Sequence, residues 1–155
     1  RREKGRRKSL KGNILLLIME NKLKINVLEN TVKIMQINKN EKHFVFEPLS
    51  RCLLENKNVF YSITESDDEL SFIVDQHLEY YFRNINCTRY DDSYKIIQLY
   101  ESDTGINHVG IVSYISSLFS DLEISILYIN TFNNNFILVK EEDLKQSINA
   151  LNSIL

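Results

Sequence analysis

Proline occurs once in this 155-residue chain and glycine only four times, which excludes a collagen-like or Pro/Gly-rich disordered polymer. Tryptophan is absent, and no apolar run is long. The longest, Ile14 to Met19, has six residues, against the roughly 20 needed to cross a bilayer, so no transmembrane segment or membrane partner is expected. Cysteine appears twice, at Cys52 and Cys87, in neither a CxxC pair nor a disulfide framework. Histidine appears three times, at His43, His77 and His108, without the spacing of a ligand set. A reducing, cytoplasmic compartment is therefore expected, with no structural metal and no cofactor.

What the chain does contain is enough apolar material, 43% of residues, to bury a core of one ordinary domain or two very small ones. Its net charge of −2 conceals a split: seven of the 19 basic residues lie in the first 18 positions beside one acid, Glu3. The remainder holds 12 basic against 20 acidic residues, a net of −8, and an acidic body repels phosphate backbones. No nucleic-acid partner is expected. The basic stretch fails as a secretory signal, because Ile14–Met19 runs into Glu20, Asn21 and Lys22 rather than into a small-residue cleavage site. Residues 1–18 read as a disordered or non-native extension.

From Met19 an organised pattern begins. Lys24 to Ile37 alternates apolar and polar residues, the period of strands, with Glu29-Asn30-Thr31 predicted as a turn within it. Glu47 to Glu55 carries Leu49, Cys52, Leu53 and Leu54 at helical spacing, and Pro48 falls where a first turn tolerates it. Asn58–Thr64 and Leu70–Asp75 are predicted strands about a polar hairpin loop at 65–69, and Gln76–Phe82 has no clear period. The pattern then restarts: strand Lys95–Tyr100, amphipathic helix Gly110–Leu122, strands Ile124–Ile129 and Phe136–Lys140, and a closing helix Glu141–Leu155 with three acids in its first turn. Each half thus offers the order of a βαββαβ split unit. The expected fold is α+β: two ferredoxin-like units, residues 19–92 and 93–155, with antiparallel sheets and helices on one face.

Catalytic signals are missing, since no nucleophile sits in an elbow motif and no histidine stands near one in a recognised spacing. The chain does not read as an enzyme. Asp67-Asp68-Glu69 lacks the alternating spacing of calcium loops and reads as a solvated turn. Tyr80-Tyr81-Phe82, without interleaved Lys/Arg, reads as partial core under a sheet. Gly110 is more suggestive. A glycine at the mouth of a helix lets a ligand approach the free N–H groups, which attract carboxylates such as that of an amino acid; a plain tight turn is the alternative.

Three phrases carry a family resemblance. GIVSYISSLFSDLEISI (110–126) resembles the glycine, helix and second strand of an ACT domain, a small-molecule-sensing βαββαβ module. FYSITESDDELSFIVD (60–75) and ILYINTFNNNFILVKEEDL (126–144) resemble the hairpin and the aromatic turn, strand and acid-capped helix of the double-ACT family that includes the CASTOR arginine sensors and short stand-alone bacterial relatives. With KINVLENTVKIMQI matching the family's opening strand, the resemblance covers about 19–155. It implies an amino-acid-binding regulatory protein acting on a protein partner, as in nutrient signalling to the TOR complex. A ligand-free scaffold using the pair only for assembly is the alternative.

In that family the ligand lies between ACT domains. Carried over by position, Ser125 and Ile126 match the segment given by one half, and His108, Val109, Gly110, Ile111, Thr131, Phe132 and Asn135 match the helix entry and turn of the other. His108 and Asn135 stand where the arginine sensor has acids, so the resemblance supports an amino acid but not arginine. Replacing a carboxylate by an amide removes a charge-assisted bond contributing about 1.5–3 kcal/mol. Both segment types occur here in the same domain, and one copy cannot face itself. A homodimer, or pairing with another ACT protein, is therefore expected, with the ligand carboxylate on the Gly110 helix of one subunit and Ser125 of the other closing the pocket.

Overall fold

The structure, a computed structural model, describes residues 23–54, 58–101 and 110–154. Residues 1–18, His108 and Val109 lie outside the described residues, and so do the readings attached to them. Among the described residues, seven strands and three α-helices follow in the order β1 (Leu23–Asn38), α1 (Phe46–Leu54), β2 (Tyr61–Glu65), β3 (Glu69–Asp75), β4 (Thr88–Arg89), β5 (Tyr94–Glu101), α2 (Ile111–Asp121), β6 (Ile126–Asn130), β7 (Asn135–Lys140) and α3 (Leu144–Asn152). The fold is α+β with antiparallel strand pairing and ferredoxin-like units, as the alternation of strand and helix patterns implies.

Contacts divide the chain into two compact units. One is Glu29–Lys95; the other joins residues 23–28, among those described, to 96–154. The sequence suggested 19–92 and 93–155. The later boundary differs by three residues, whereas the opening strand is shared, its first six described residues going with the later unit.

In the unit Glu29–Lys95 the strand order is β2-β3-β1, with β4 also paired to β1. The register Met35↔Phe72 and Ile37↔Leu70 sets those side chains on one face of the sheet. Val45, Leu49 and Cys52 from the α1 region, with Leu78, Phe82 and Cys87, pack on them as a core cluster. The Phe72 and Phe82 rings lie 5.0 Å apart. Residues 76–82, whose sequence lacks a helical period, form a 3-10 helix that completes this cover. Arg89 holds the connection behind it, donating from Nη1 to the Cys87 carbonyl at 2.9 Å and from Nη2 to the Phe82 carbonyl at 2.6 Å.

The turn predicted at Glu29-Asn30-Thr31 does not form; β1 runs through it unbroken. The Asn30 amide donates instead to the Asp75 carboxylate and to the Asn58 carbonyl, fixing an extended residue from far along the chain. Asp75 is itself buried and takes His77 Nδ1 on its other oxygen at 2.9 Å.

In the later unit the strand order is β1-β5-β7-β6, with β6 at the edge. Ile97, Leu99, Ile137 and Val139 from the sheet pack with Ile111, Ile115 and Phe119 of α2 and Leu151 of α3 in one cluster, so both helices cover one face. Each such side chain contributes about 1.5–3 kcal/mol by leaving water. The closing helix begins later than the pattern suggested: Glu141–Asp143 form a 3-10 turn, and Ser147, buried on α3, is satisfied by donating to the Asp143 carbonyl at 2.8 Å.

Candidate functional site

Helix α2 opens abruptly. Gly110 has φ 103° and ψ −7°, a left-handed conformation that only glycine adopts cheaply, and its carbonyl accepts the Tyr114 N–H at 2.9 Å to begin the helix. Gly110 has no side chain with which to cap this end, and the first turn contains no acid. The leading N–H groups of an eleven-residue helix thus receive no bond from the N-cap side chain, and the positive end of the helix dipole lies behind them.

The β6–β7 turn is the second component. The Thr131 N–H donates to the Asn134 carbonyl at 2.8 Å, and the Thr131 hydroxyl bonds both the Asn134 carbonyl and N–H at 3.2 Å. Gln98 on β5 donates to Asn134 Oδ1 at 2.8 Å and ties the turn to the sheet. This is a fixed turn, yet it presents Phe132 with 95% of its surface in solvent.

Asn135 starts β7 on the opposite face from Phe136. By strand alternation it shares the face of Ile137 and Val139, which pack under α2. Helix α2 rises about 16 Å and β6 about 17 Å, and β6 returns from the end of α2, so the turn and Asn135 come back to the end where α2 begins. There Asn135 is only 3% exposed, and its Oδ1 has no hydrogen-bond partner among the described residues. A buried acceptor left unmatched is uncommon and costs about 1–3 kcal/mol.

Gly110, Ile111, Thr131, Phe132 and Asn135 therefore gather at one end of the later unit, with Ile111 buried in the core beside the glycine. Ser125 and Ile126 do not join them. They stand at the start of β6, opposite its turn end; Ser125 is exposed and Ile126 pairs with Val139. Within one copy the two segments face different directions along the strand.

Sequence reasoning missed Gln98, whose role shows only once β5 and the turn are neighbours. It also missed the Asn30–Asp75–His77 cluster, for which the Asp-x-His spacing was the sole signal. The unit Glu29–Lys95 also bears an open polar cleft of about 380 Å³ between Gln36, Asn38, Asp68, Glu69 and Thr88. No buried polar atom there lacks a partner, so the cleft has less claim to a ligand than the Gly110 end. Among the described residues no group of three or more His, Cys, Asp or Glu could hold a metal, and no helix is long and apolar enough to cross a membrane. Burial pushes the Cys87 thiol up, and both cysteines are buried and outside any disulfide.

Residues 89–153 match the family model described as the ACT domain. No curated protein matches the sequence. The fold is shared with a protein from Agobacterium tumefaciens at TM-score 0.66 and 21% identity, covering 86% of this chain and 89% of that one. It is shared with a protein of unknown function from Vibrio cholerae at TM-score 0.67 and 16% identity, covering 94% and 97%. It is shared too with the ligand-free regulatory subunit of aspartate kinase from Thermus thermophilus at TM-score 0.59 and 9% identity, covering 86% and 97%.

Proposed function

Residues 89–153 being an ACT domain, we propose that the chain is an amino-acid-binding regulatory protein whose ligand sits at the Gly110 end of the later unit. The observation that carries this reading is the acid-free start of α2 behind a left-handed glycine that has no capping side chain of its own. It offers N–H donors and a positive dipole end to an α-carboxylate, and no Cβ obstructs the approach. The likeness in fold to an aspartate kinase regulatory subunit supports a regulatory rather than a catalytic role.

A second copy completes the site. Strand β6 is an edge, and two-fold pairing of β6 with itself about Tyr128 sets Ile126 of the partner subunit opposite Asn130. Ser125 of the partner subunit then falls beside Thr131, and Phe132 gains a surface to cover. The ligand thereby bridges two subunits, and its binding shifts which assembly is presented to a protein partner. The resemblance to the CASTOR sensors supports a cytoplasmic place in amino-acid signalling of the TOR type.

Thermal unfolding with each of the twenty amino acids, read together with sedimentation, tests the proposal. A ligand at 100 times its Kd adds about 2.7 kcal/mol, a rise of roughly 5–10 °C in melting temperature for a chain of this size. Gly110→Asp is expected to abolish the rise by placing negative charge where the carboxylate sits. No response to any amino acid would overturn the reading and leave a ligand-free scaffold. A strict monomer that still responds would overturn the two-copy site.

A further inference from the structure

We propose that the outer face of α1 is a docking surface for a second copy of this chain, the two α1 helices crossing antiparallel at Ser50. Pro48, Leu49 and Cys52 turn inward, and the helical period puts Phe46, Ser50 and Leu54, each four residues from the next, on one outward ridge. Leu54 on that ridge is 75% exposed, and Phe44, Phe46, Leu53 and Tyr80 about it are half exposed. Single apolar side chains scattered over a surface are ordinary, but these five lie on one helix and the two 3-10 segments packed against it, and so form a patch.

The make-up of the patch fits a second copy. Its central polar group is already satisfied: the Ser50 hydroxyl donates to the Phe46 carbonyl at 2.7 Å, so covering it leaves no orphan donor, and its small size lets two backbones approach. The ridge is complementary to itself, because a two-fold axis at Ser50 sets Phe46 of one protomer on Leu54 of the partner subunit, and the reverse. Glu47 and Arg51 form an ion pair along the flank, with the guanidinium over the Tyr81 ring at 5.7 Å. Across the axis they alternate in sign with the partner's Glu47 and Arg51. The exposed parts of the five apolar side chains come to about 400–500 Å² per copy, taking about 150–250 Å² for a whole aromatic one. Two copies cover about 800–1,000 Å² before the charged flank is counted, close to the roughly 1,000 Å² that a specific interface needs. The surface belongs to the unit Glu29–Lys95 and uses neither β6 nor the Gly110 end, so it stands apart from the ligand reading.

Sedimentation of the full chain over a concentration series, with cross-linking, tests the proposal. Expected is an association that Leu54→Glu weakens by about 10-fold or more in Kd, with the melting temperature unchanged because the side chain replaced lies on the surface. Glu47→Arg and Arg51→Glu should each weaken it by about 3-fold or more, and mixing the two variants should restore it. Ser50→Cys, facing its own copy across the axis, should form a disulfide-linked dimer under diamide, whereas Lys145→Cys, exposed on α3, should not. A parent that stays monomeric throughout would overturn the pairing and leave the face to another occupant. An association that Leu54→Glu leaves unaltered would overturn it too, while the pairing through β6 would stand. Association lost with Leu54→Glu but not recovered on mixing the charge variants would overturn the register about Ser50. Should Leu54→Glu fail to fold, the cross-link through Ser50→Cys carries the test, and its absence overturns the proposal.

Discussion

Replacing Asn135 by leucine should stabilise the free protein and weaken binding at the proposed site. The side chain is 3% exposed, and its Oδ1 makes no hydrogen bond among the described residues. Removing an unmatched buried acceptor returns about 1–3 kcal/mol. Leucine has the same branching at Cγ as asparagine, and it would stand on the face shared with Ile137 and Val139, where further apolar burial favours it. Its greater bulk opposes this with a packing cost of about 1 kcal/mol. The net expectation is a gain of about 1–2 kcal/mol, or roughly 2–8 °C in melting temperature. Urea unfolding of parent and variant, compared at equal m, measures it. Stability up with affinity down is the pattern of a side chain retained for binding. A loss of 1 kcal/mol or more on Asn135→Leu would show that the amide is matched within the folded chain, and the reasoning from an orphan acceptor would fail.

Gly110→Ala forces a Cβ into a left-handed position and should lower stability by about 1–2 kcal/mol in calorimetry; an unchanged melting temperature would mean that α2 does not need its left-handed entry. Asn30→Ala removes the donor shared by the buried Asp75 carboxylate and the Asn58 carbonyl, and a cost of about 1.5–3 kcal/mol is expected in urea, whereas less than 0.5 kcal/mol would deny the bond any structural role. Lys42, bonded to Glu65 at 2.7 Å with Lys39 nearby at 3.5 Å, holds the Glu65 carboxyl below its ordinary value. A depressed carboxyl stabilises the fold above its unfolded pKa and loses that contribution as pH falls through the folded one, so Glu65→Gln should flatten the fall of the urea midpoint below about pH 4.5, and an unaltered slope would place the acid sensitivity elsewhere.

What the sequence disclosed was what is local. The α2 helix was legible within one residue at each end because its apolar spacing and its glycine are both written in twelve consecutive positions, Gly110–Asp121. The β2–β3 and β6–β7 hairpins followed from alternation and polar loops, for the same reason. Where distant residues decide, the reading failed. Glu29-Asn30-Thr31 has the composition of a turn, and only the partners of Asn30, 28 and 45 residues away, show why it stays extended. Thr88–Arg89 has no strand pattern, and becomes one because Met35 and Gln36 lie beside it. The site divides in the same way. Resemblance pointed to Asn135 by position, but position cannot say whether an amide faces water or lies unmatched beneath a helix. That difference is set by the register Asn130↔Asn135 and the face shared with Ile137, neither of which is written in the residues around Asn135. The partner that Asn135 Oδ1 lacks among the described residues is a tertiary matter, which no local pattern records.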